Sequence, residues 1–226
     1  MGDVTFIIPA YNEENSIGRL LDDIKKLYPH YPVFVINNNS NDNTPLIAEK
    51  SGVNVIHEKK QGKGNAIKKG FTCVKSDYIV MLDADNTYDP SEALDLLEPL
   101  FKNSADVVLG CRLNGKKEKG SITRFNLVGN HILSLTASIL FSRISDVCTG
   151  YWAFKKEVVD DLLERNLVSN GFEVEAEMFA KVSQGNFKVK ERAISYRRRA
   201  DSPKLNSLKD GWKIFLTLWI HKIRNN

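Results

Sequence analysis

The chain has 226 residues, of which 42% are hydrophobic and 27% are charged. These values are typical of one globular domain that buries its core without disulfide bonds. The net charge of +4 is distributed unevenly, because residues 188–226 hold eleven Lys and Arg against three acids, a net +8, which leaves −4 for the rest. A basic tail of this kind predicts an anionic partner such as phosphate, nucleic acid or lipid headgroups.

Neither the cysteines nor the N-terminus indicates export or a membrane span. Cys73, Cys111 and Cys148 are far apart and lack metal-type spacing, so we interpret them as reduced thiols. The first residues lead directly into a strand pattern, without the basic and apolar regions of a signal peptide. No stretch approaches the roughly 18 apolar residues of a spanning helix. We therefore expect a cytoplasmic protein that can lie on a membrane surface but does not cross it.

Strand and helix patterns alternate through the first half of the chain. Apolar runs predict strands, and apolar residues at helical spacing predict helices. The strands fall at 4–9, 32–36, 53–57, 78–82 and 107–109, and the helices at 13–27, 44–51, 62–74 and 91–102. This alternation predicts βαβ units in a mostly parallel sheet, whose ligands bind at the carboxyl ends of the strands.

The second half of the chain is predicted to contain more helix. A long, mostly apolar helix is expected at 124–144, and an amphipathic helix at 207–223 ends the chain. Between them we predict strands at 150–154 and 189–196 and helices at 157–165 and 172–184. We divide the chain into one α/β domain, residues 1–205, and a C-terminal amphipathic helix, residues 206–226.

Two carboxylates, Asp83 and Asp85, directly follow the predicted strand at 78–82. At the open end of a parallel sheet, two such groups are costly unless a cation joins them. Hard oxygen ligands separated by one residue suit Mg²⁺ or Mn²⁺ carrying a diphosphate. The competing interpretation is an Asp-rich turn that caps the next helix, a role that Asp89 can fill.

Further motifs accompany this acidic pair. IIPAYNEE ends the first strand, VINNNSNDNT the second, GKGNAIKKG precedes the fourth, YIVMLDADNTYDP contains the acidic pair, and GCR follows the fifth. In this order they resemble family-2 glycosyltransferases of the GT-A fold over roughly residues 4–205. DVCTGYWAFKKEV at 146–158, GFEVEAE at 171–177 and RRRADSPKLN at 197–206 are similar to motifs of dolichyl- and polyprenyl-phosphate sugar transferases. The resemblance implies an α/β GT-A fold, with a mostly parallel sheet flanked by helices.

The resemblance also implies roles for individual residues. Asp83 and Asp85 would hold the metal, and Asp146 and Glu173 would bind sugar hydroxyls; with Arg112 these residues make up the implied catalytic set. The residues implied in binding the nucleotide-sugar or a phosphate are Pro9, Tyr11, Glu13, Asn37, Asn38, Lys63, Ala84, Arg112, Arg124, Arg198 and Lys204. Arg124 would lie near the acceptor phosphate, and Arg198 and Lys204 belong to a loop that closes over the diphosphate.

The second motif departs from the Asp-rich version that is common in relatives. Here the four residues are Asn37, Asn38, Asn39 and Ser40. Asn both donates and accepts hydrogen bonds, whereas ionised Asp only accepts. The sequence therefore leaves open which base this motif contacts. The Asn-Asn-Ser part is similar to relatives that use uridine donors, which favours a UDP-sugar. The alternative is an Asx-rich turn without a ligand.

The predicted chemistry needs no nucleophile–base pair. His30, His57, His131 and His221 show neither catalytic nor metal spacing. A phosphate monoester has a second pKa of about 6 and is mostly ionised at neutral pH, so it attacks without a strong base. The enzyme has to position it and stabilise the leaving diphosphate.

The predicted C-terminal helix has one apolar face with basic residues beside it. The apolar residues at helical spacing are Leu205, Leu208, Trp212, Phe215, Leu216, Trp219 and Ile223. This pattern suits an interfacial helix on the cytoplasmic face of a membrane, and the helix at 124–144 is a second membrane-facing candidate. The alternative is a helix packed on the domain core.

The leading expectation is an inverting transferase that moves a sugar from UDP-N-acetylglucosamine or another UDP-sugar to dolichyl or polyprenyl phosphate, with Mg²⁺ or Mn²⁺ and without a nucleic-acid partner. A dolichyl-phosphate mannosyltransferase that uses GDP-mannose is the first alternative. A sugar-nucleotide nucleotidyltransferase is the second, although its glycine-rich loop would directly follow the first strand. A non-catalytic nucleotide-binding module is the third.

Overall fold

A computed structural model describes residues 2–224. The strands are β1 Val4–Ala10, β2 Val33–Asn37, β3 Asn54–His57, β4 Tyr78–Met81, β5 Val107–Cys111, β6 Trp152–Lys155 and β7 Val189–Ala193. The helices are α1 Ile17–Leu27, α2 Thr44–Lys50, α3 Lys63–Cys73, α4 Ala93–Phe101, α5 Arg124–Leu140, α6 Lys156–Glu164, α7 Val174–Gln184 and α8 Ser207–Ile223. The predicted elements therefore form in their predicted order, with ends that differ by a few residues.

The seven strands form one sheet in the order β3-β2-β1-β4-β6-β5-β7. All neighbouring pairs are parallel except those of β6, which runs antiparallel to both β4 and β5. The carboxyl ends of β1, β2, β4 and β5 therefore lie along one edge of the sheet. The mixed α/β architecture confirms the predicted fold class.

Hydrophobic side chains cover both faces of the sheet. Because successive side chains of a strand point to opposite faces, Ile7 joins one cluster, together with residues of α3, α5, α6, α7 and α8. Phe6 and Ile8 join the second cluster, together with residues of α1 and α4. Burial on both faces explains why β1 is apolar at every position except Thr5, rather than alternating.

The largest differences from the predicted boundaries occur beside turns. The helix predicted at 13–27 begins only at Ile17, because the chain turns after β1 and Asn12 adopts a left-handed φ of 50°. The helix predicted at 91–102 begins with a 3₁₀ turn, where the carboxylate of Asp89 accepts a hydrogen bond from the backbone N–H of Ser91. The capping role considered for Asp89 is therefore present.

The C-terminal helix α8 packs against α5 and α7. Its Ile214 and Leu218 are buried in the first hydrophobic cluster, so one face of α8 belongs to the core. The opposite face is exposed, and Trp212 retains 61% of its accessible surface. Within residues 2–224 there is no helix with both the length and the apolar character needed to cross a membrane.

Candidate active site

Three asparagines shape the turns that follow β1, β2 and β4. Asn12, Asn39 and Asn86 have φ values of 50°, 60° and 59°. Asparagine adopts this left-handed region more readily than most residues because its short amide can hydrogen-bond to nearby backbone. Each turn redirects the chain directly after its strand, so the polar residues of all three motifs gather at one edge of the sheet.

Asp83 lies at the centre of this edge and pairs with a partly buried lysine. The Nζ atom of Lys63 lies 2.6 Å from Asp83 Oδ1 and 2.5 Å from Glu175 Oε1. Burial lowers the pKa of Lys63, but the two carboxylates raise it more, so the net pKa is above its ordinary value. On the other side, Gly150 packs so closely that a Cβ atom there would lie 2.4 Å from Asp83 Oδ2.

Asp85 is almost completely buried beside Asp83. Its Oδ1 atom accepts hydrogen bonds from the backbone N–H and the hydroxyl of Thr87, at 3.1 and 2.6 Å. Its Oδ2 atom lies 3.2 Å from the guanidinium of Arg199. Burial, followed by the charge of Asp83, raises the pKa of Asp85 above its ordinary value. One partly exposed and one buried carboxylate at this spacing are suited to hold a cation between them.

The donor set fits a hard divalent cation shared with a ligand. Within residues 2–224 there is no group of three or more His, Cys, Asp and Glu side chains arranged to hold a metal ion. Asp83 and Asp85 would therefore supply two oxygens, and the remaining ligands would come from a bound anion and water. Mg²⁺ characteristically binds in this way, through one or two carboxylates together with substrate phosphates.

A cavity of about 250 Å³ opens beside the acidic pair. Its lining includes Pro9, Ala10, Tyr11, Glu13, Asn38, Gln61, Gly62, Lys63, Ala84, Phe172, Arg199 and Lys204. Both Arg199 and Lys204 form ion pairs with Oε1 of Glu13. Burial raises the pKa of Glu13. The cavity combines a buried acid, an aromatic ring and several cations. We call it the donor cavity, after the nucleotide-sugar donor that the family resemblance implies.

The two asparagines of the second motif have different positions. Asn38 lines the donor cavity, and its side chain accepts from the backbone N–H of Gly62 at 2.6 Å and donates to the carbonyl of Lys60 at 2.8 Å. Asn37 is buried beneath the turn, where its amide nitrogen lies 3.1 Å from Nδ1 of His57. Asn38 therefore holds the glycine loop in place, and Asn37 supports the turn by accepting a hydrogen bond from the backbone N–H of Ser40 at 3.2 Å.

Arg112 is held by a buried carboxylate. Its side chain donates to both oxygens of Asp146, at 2.8 and 2.7 Å, and its backbone N–H donates to one of them at 3.0 Å. The guanidinium carbon lies 5.3 Å from the ring centroid of Tyr196. Burial lowers the pKa of Arg112, but Asp146 together with Tyr88 and Tyr196 raises it more, and the net pKa is above its ordinary value. Arg112 is therefore a fixed cation.

A second, larger cavity of about 830 Å³ begins at the same acidic pair. It shares Lys63, Asp83, Asp85, Phe172 and Arg199 with the donor cavity, and it adds Arg112, Tyr196 and Arg198. Beyond these polar groups the cavity passes between α5 and α8. The two cavities therefore meet at the carboxylates, which is the arrangement needed to bring two substrates together.

Comparison with known proteins identifies the family. Residues 5–163 match the model of glycosyl transferase family 2. The chain belongs to this family. Glycosyltransferase AglJ of Haloferax volcanii is 31% identical over 227 residues, covering 99% of this chain and 73% of that protein. The dolichyl-phosphate hexose transferase of the same organism is 31% identical over 212 residues, covering 92% and 89%.

Solved structures share the fold of this family-2 glycosyltransferase. A crystal structure of glucosyl-3-phosphoglycerate synthase from Mycobacterium tuberculosis, in complex with Mn²⁺, uridine diphosphate and glucosyl-3-phosphoglycerate, aligns with a TM-score of 0.77. It covers 97% of this chain and 80% of that chain, at 19% identity. The likeness confirms the GT-A fold that the motifs imply.

Several residues implied by the family resemblance lie elsewhere than expected. Asp146 is fully buried with both oxygens bound to Arg112, so it orients that arginine and has no oxygen directed at a sugar. Glu173 precedes α7 and accepts from the backbone N–H groups of Asn170 and Gly171. Arg124 lies exposed on the first turn of α5, outside both cavities.

Three residues of the glycosyltransferase site are not singled out by sequence analysis. Glu175 pairs with Lys63, Arg199 lies between Asp85 and Glu13, and Phe172 lines both cavities. Their signals are present in the motifs GFEVEAE and RRRADSPKLN. In each motif a neighbouring residue, Glu173 or Arg198, is the one that aligns with the family pattern, and only the tertiary structure separates the alternatives.

Proposed function

We propose that this family-2 glycosyltransferase transfers a sugar from a UDP-sugar to a polyprenyl phosphate of the dolichyl type, at the cytoplasmic face of a membrane. The observation that carries the proposal is the meeting of two cavities at Asp83 and Asp85. One cavity places Lys63, Arg199 and Lys204 beside the acidic pair, as binding of a nucleotide-sugar requires. The other begins at fixed cations and continues between two helices that expose apolar side chains.

The donor cavity supports binding of a nucleoside diphosphate. A diphosphate at the acidic pair would meet Lys63, Arg199 and Lys204, and Tyr11 offers an aromatic face to the base. We propose that Asp83 and Asp85 hold Mg²⁺ or Mn²⁺ with this diphosphate. The cation would neutralise charge on the leaving diphosphate, as metals do in phosphoryl chemistry. The complexes of the mycobacterial synthase with Mn²⁺ and uridine diphosphate support this assignment.

The larger cavity supports a phosphate acceptor. Arg112 and the exposed Arg198 both line it, and a guanidinium can bind phosphate through two parallel hydrogen bonds. Asp146 fixes Arg112 before any acceptor arrives, so little ordering is required on binding. An ionised phosphate oxygen attacks the sugar carbon directly, and the nucleoside diphosphate leaves with the bonding electrons. The dolichyl-phosphate hexose transferase of Haloferax volcanii supports this acceptor class.

A donor panel tests the proposed function. The purified enzyme is incubated with a polyprenyl phosphate, Mn²⁺ and one radiolabelled donor, and the lipid is then extracted. We expect label from UDP-N-acetylglucosamine or another UDP-sugar in the lipid fraction, at a rate at least about ten times that from GDP-mannose, which corresponds to about 1.4 kcal/mol of discrimination. A higher rate with GDP-mannose would contradict the uridine assignment. Release of free sugar without labelled lipid would contradict the acceptor.

Two helices expose apolar residues at helical spacing beside the larger cavity. Those of α5 are Phe125, Val128, Ile132, Leu135 and Ile139, and those of α8 are Leu208, Trp212, Leu216, Trp219 and Ile223. The helices pack against each other, so the residues belong to one region of the surface, and the exposed Lys209 and Lys213 lie beside them. A large exposed apolar patch indicates an interaction surface, and tryptophan with lysine suits a membrane interface. We propose that this surface lies on the membrane.

The proposed membrane contact is tested with vesicles. We expect the protein to co-sediment with anionic vesicles, and less so as salt rises, because the charge contribution is screened. Replacing both Trp212 and Trp219 by Gln should lower the partition coefficient by at least about ten-fold, given about 25 cal/mol per Å² of apolar surface. Leu46→Gln, at an exposed leucine of α2, is the matched control.

Point variants are preferred to deletion of residues 207–226. Ile214 and Leu218 belong to the core, so a truncated chain would expose apolar core surface and could aggregate with or without lipid. Intact protein that remains in the supernatant with anionic vesicles at low salt would contradict the membrane assignment. Equal binding by the double tryptophan variant and the wild type would show that another surface makes the contact.

A further inference from the structure

The outer part of the larger cavity is a groove between the first halves of α5 and α8. Its lining on α5 includes Phe125, Gly129 and Leu133, and its lining on α8 includes Leu208, Gly211 and Phe215. Within each helix these residues are three or four positions apart, so they share one face. The groove therefore has apolar walls over about two turns of each helix, and it contains one glycine on each side.

The two glycines have no explanation in the packing of the protein. A Cβ atom at Gly129 or at Gly211 would meet no other atom within 4 Å, so neither position requires a missing side chain. Neither residue has the positive φ that favours glycine. Glycine inside a helix is destabilising relative to alanine. The space beside these two residues is therefore open, although nothing in the fold requires it to be.

We propose that Gly129 and Gly211 keep this groove open for the isoprene units nearest to the acceptor phosphate. The inference rests on the proposed function and deepens it by assigning a path to the lipid chain. The groove is continuous with the reactive centre, since one cavity includes Asp83, Asp85 and both glycines. A chain that follows it leads from the carboxylates to the exposed apolar side chains of α5 and α8.

Charge and polarity along the groove match an amphiphile with an anionic head. Arg112 and Arg198 line the same cavity as the acidic pair, and the phosphate would bind to these cations. Trp212 and Phe215 lie at the apolar end, with ring centroids 5.5 Å apart and nearly parallel planes. A polyprenyl phosphate presents the same sequence of groups, first a dianion and then a branched apolar chain. A soluble sugar or peptide acceptor would leave these apolar walls exposed to water.

Leucine substitutions test the groove without threatening the fold. Gly211→Leu and Gly129→Leu place four carbon atoms into open space, and leucine favours a helix more than glycine does, so the melting temperature should not fall. We expect each variant to raise KM for a long-chain polyprenyl phosphate by ten-fold or more, while KM for the UDP-sugar stays within two-fold. Thr217→Leu also places a leucine on α8, but outside the groove, and should change neither constant.

A photo-crosslinking experiment tests lipid binding in the groove independently of sugar transfer. A polyprenyl phosphate with a diazirine on its second isoprene unit is presented to the wild type in detergent micelles, and the labelled peptides are mapped. We expect label within residues 125–133 and 205–215. Label elsewhere, or an unchanged KM for the long-chain acceptor in both leucine variants, would contradict binding of the isoprene chain in the groove, even if sugar transfer is observed. Label in the groove without sugar transfer would support lipid binding in the groove and contradict the proposed reaction.

Discussion

Asp85→Ala is expected to lower kcat/KM for sugar transfer by about a hundred- to a thousand-fold, the range found when one preorganised electrostatic group is removed from a site. Asp85 is one of the two carboxylates proposed to hold the metal, and it also accepts two hydrogen bonds from Thr87 and pairs with Arg199. Without the Asp85 carboxylate, the cation would lose a ligand and Arg199 would lose one of its ion-pair partners. Donor binding and the leaving diphosphate are both affected.

The Asp85 variant should remain folded. The pKa of Asp85 is raised in the folded protein by burial and by the charge of Asp83, so the folded state binds a proton more tightly than the unfolded state. At neutral pH, above the unfolded pKa, the ionised carboxylate therefore costs folding free energy. Removing the charge relieves that cost and offsets the lost hydrogen bonds.

The measurement compares initial rates at saturating Mn²⁺ with circular dichroism of the same samples. Asp85→Asn keeps the shape and an oxygen for Thr87, and it should lose nearly as much activity as the alanine variant because the charge is absent. Asp95→Asn, at an exposed acid of α4, is the control for a lost negative charge and should behave as the wild type. Near-normal turnover of Asp85→Ala, or full activity of the wild type in excess EDTA, would remove the metal from the proposal.

The order of elements follows from sequence because it depends on local patterns. The run Val4–Ala10 is apolar except for Thr5, and α8 shows helical spacing over its full length Ser207–Ile223. The position of β6 in the sheet cannot be predicted from local patterns. Its antiparallel insertion between β4 and β5 depends on pairings such as Val80 with Ala153. Periodicity of a single strand carries no information about its neighbours or its direction.

The same distinction applies to the site. Asp83 and Asp85 are predictable because they directly follow a strand, and the carboxyl ends of parallel strands hold ligands. Arg199 and Glu175 are not predictable in this way, because a loop near residue 200 and the helix α7 must first fold against the sheet. In the run 197–199, Arg197 pairs with Asp89 and Arg199 with Glu13, whereas Arg198 lines the larger cavity. The three arginines are identical in sequence but differ in their contacts.

Asp146→Ala is expected to lower the free energy of unfolding by about 3–5 kcal/mol, the usual cost of removing one partner from a buried ion pair. Asp146 is fully buried, and Arg112 is 8% exposed. The variant would leave the guanidinium without its carboxylate and its two hydrogen bonds to it, and the backbone N–H of Arg112 would lose its acceptor as well. The charge of Arg112 would then be stabilised by the ring of Tyr196 and by water in the larger cavity, which Arg112 lines.

Urea denaturation of both proteins measures this difference. Glu98→Ala is the matched control, because Glu98 forms an exposed ion pair with Lys102, and such pairs contribute about 0–1 kcal/mol. A cost below about 1 kcal/mol for Asp146→Ala would mean that Arg112 finds another partner or turns into the cavity. In that case Asp146 would not be the group that fixes the arginine.

A double variant separates the structural part of this pair from its functional part. Replacing a buried ion pair by apolar residues of similar volume is often neutral or stabilising, so Arg112→Met with Asp146→Leu should recover most of the stability lost in Asp146→Ala. Sugar transfer should not recover, because the cation proposed to bind the acceptor phosphate is still missing. Recovery of both properties would show that Arg112 serves only the fold, and the acceptor phosphate would then have to rely on Arg198.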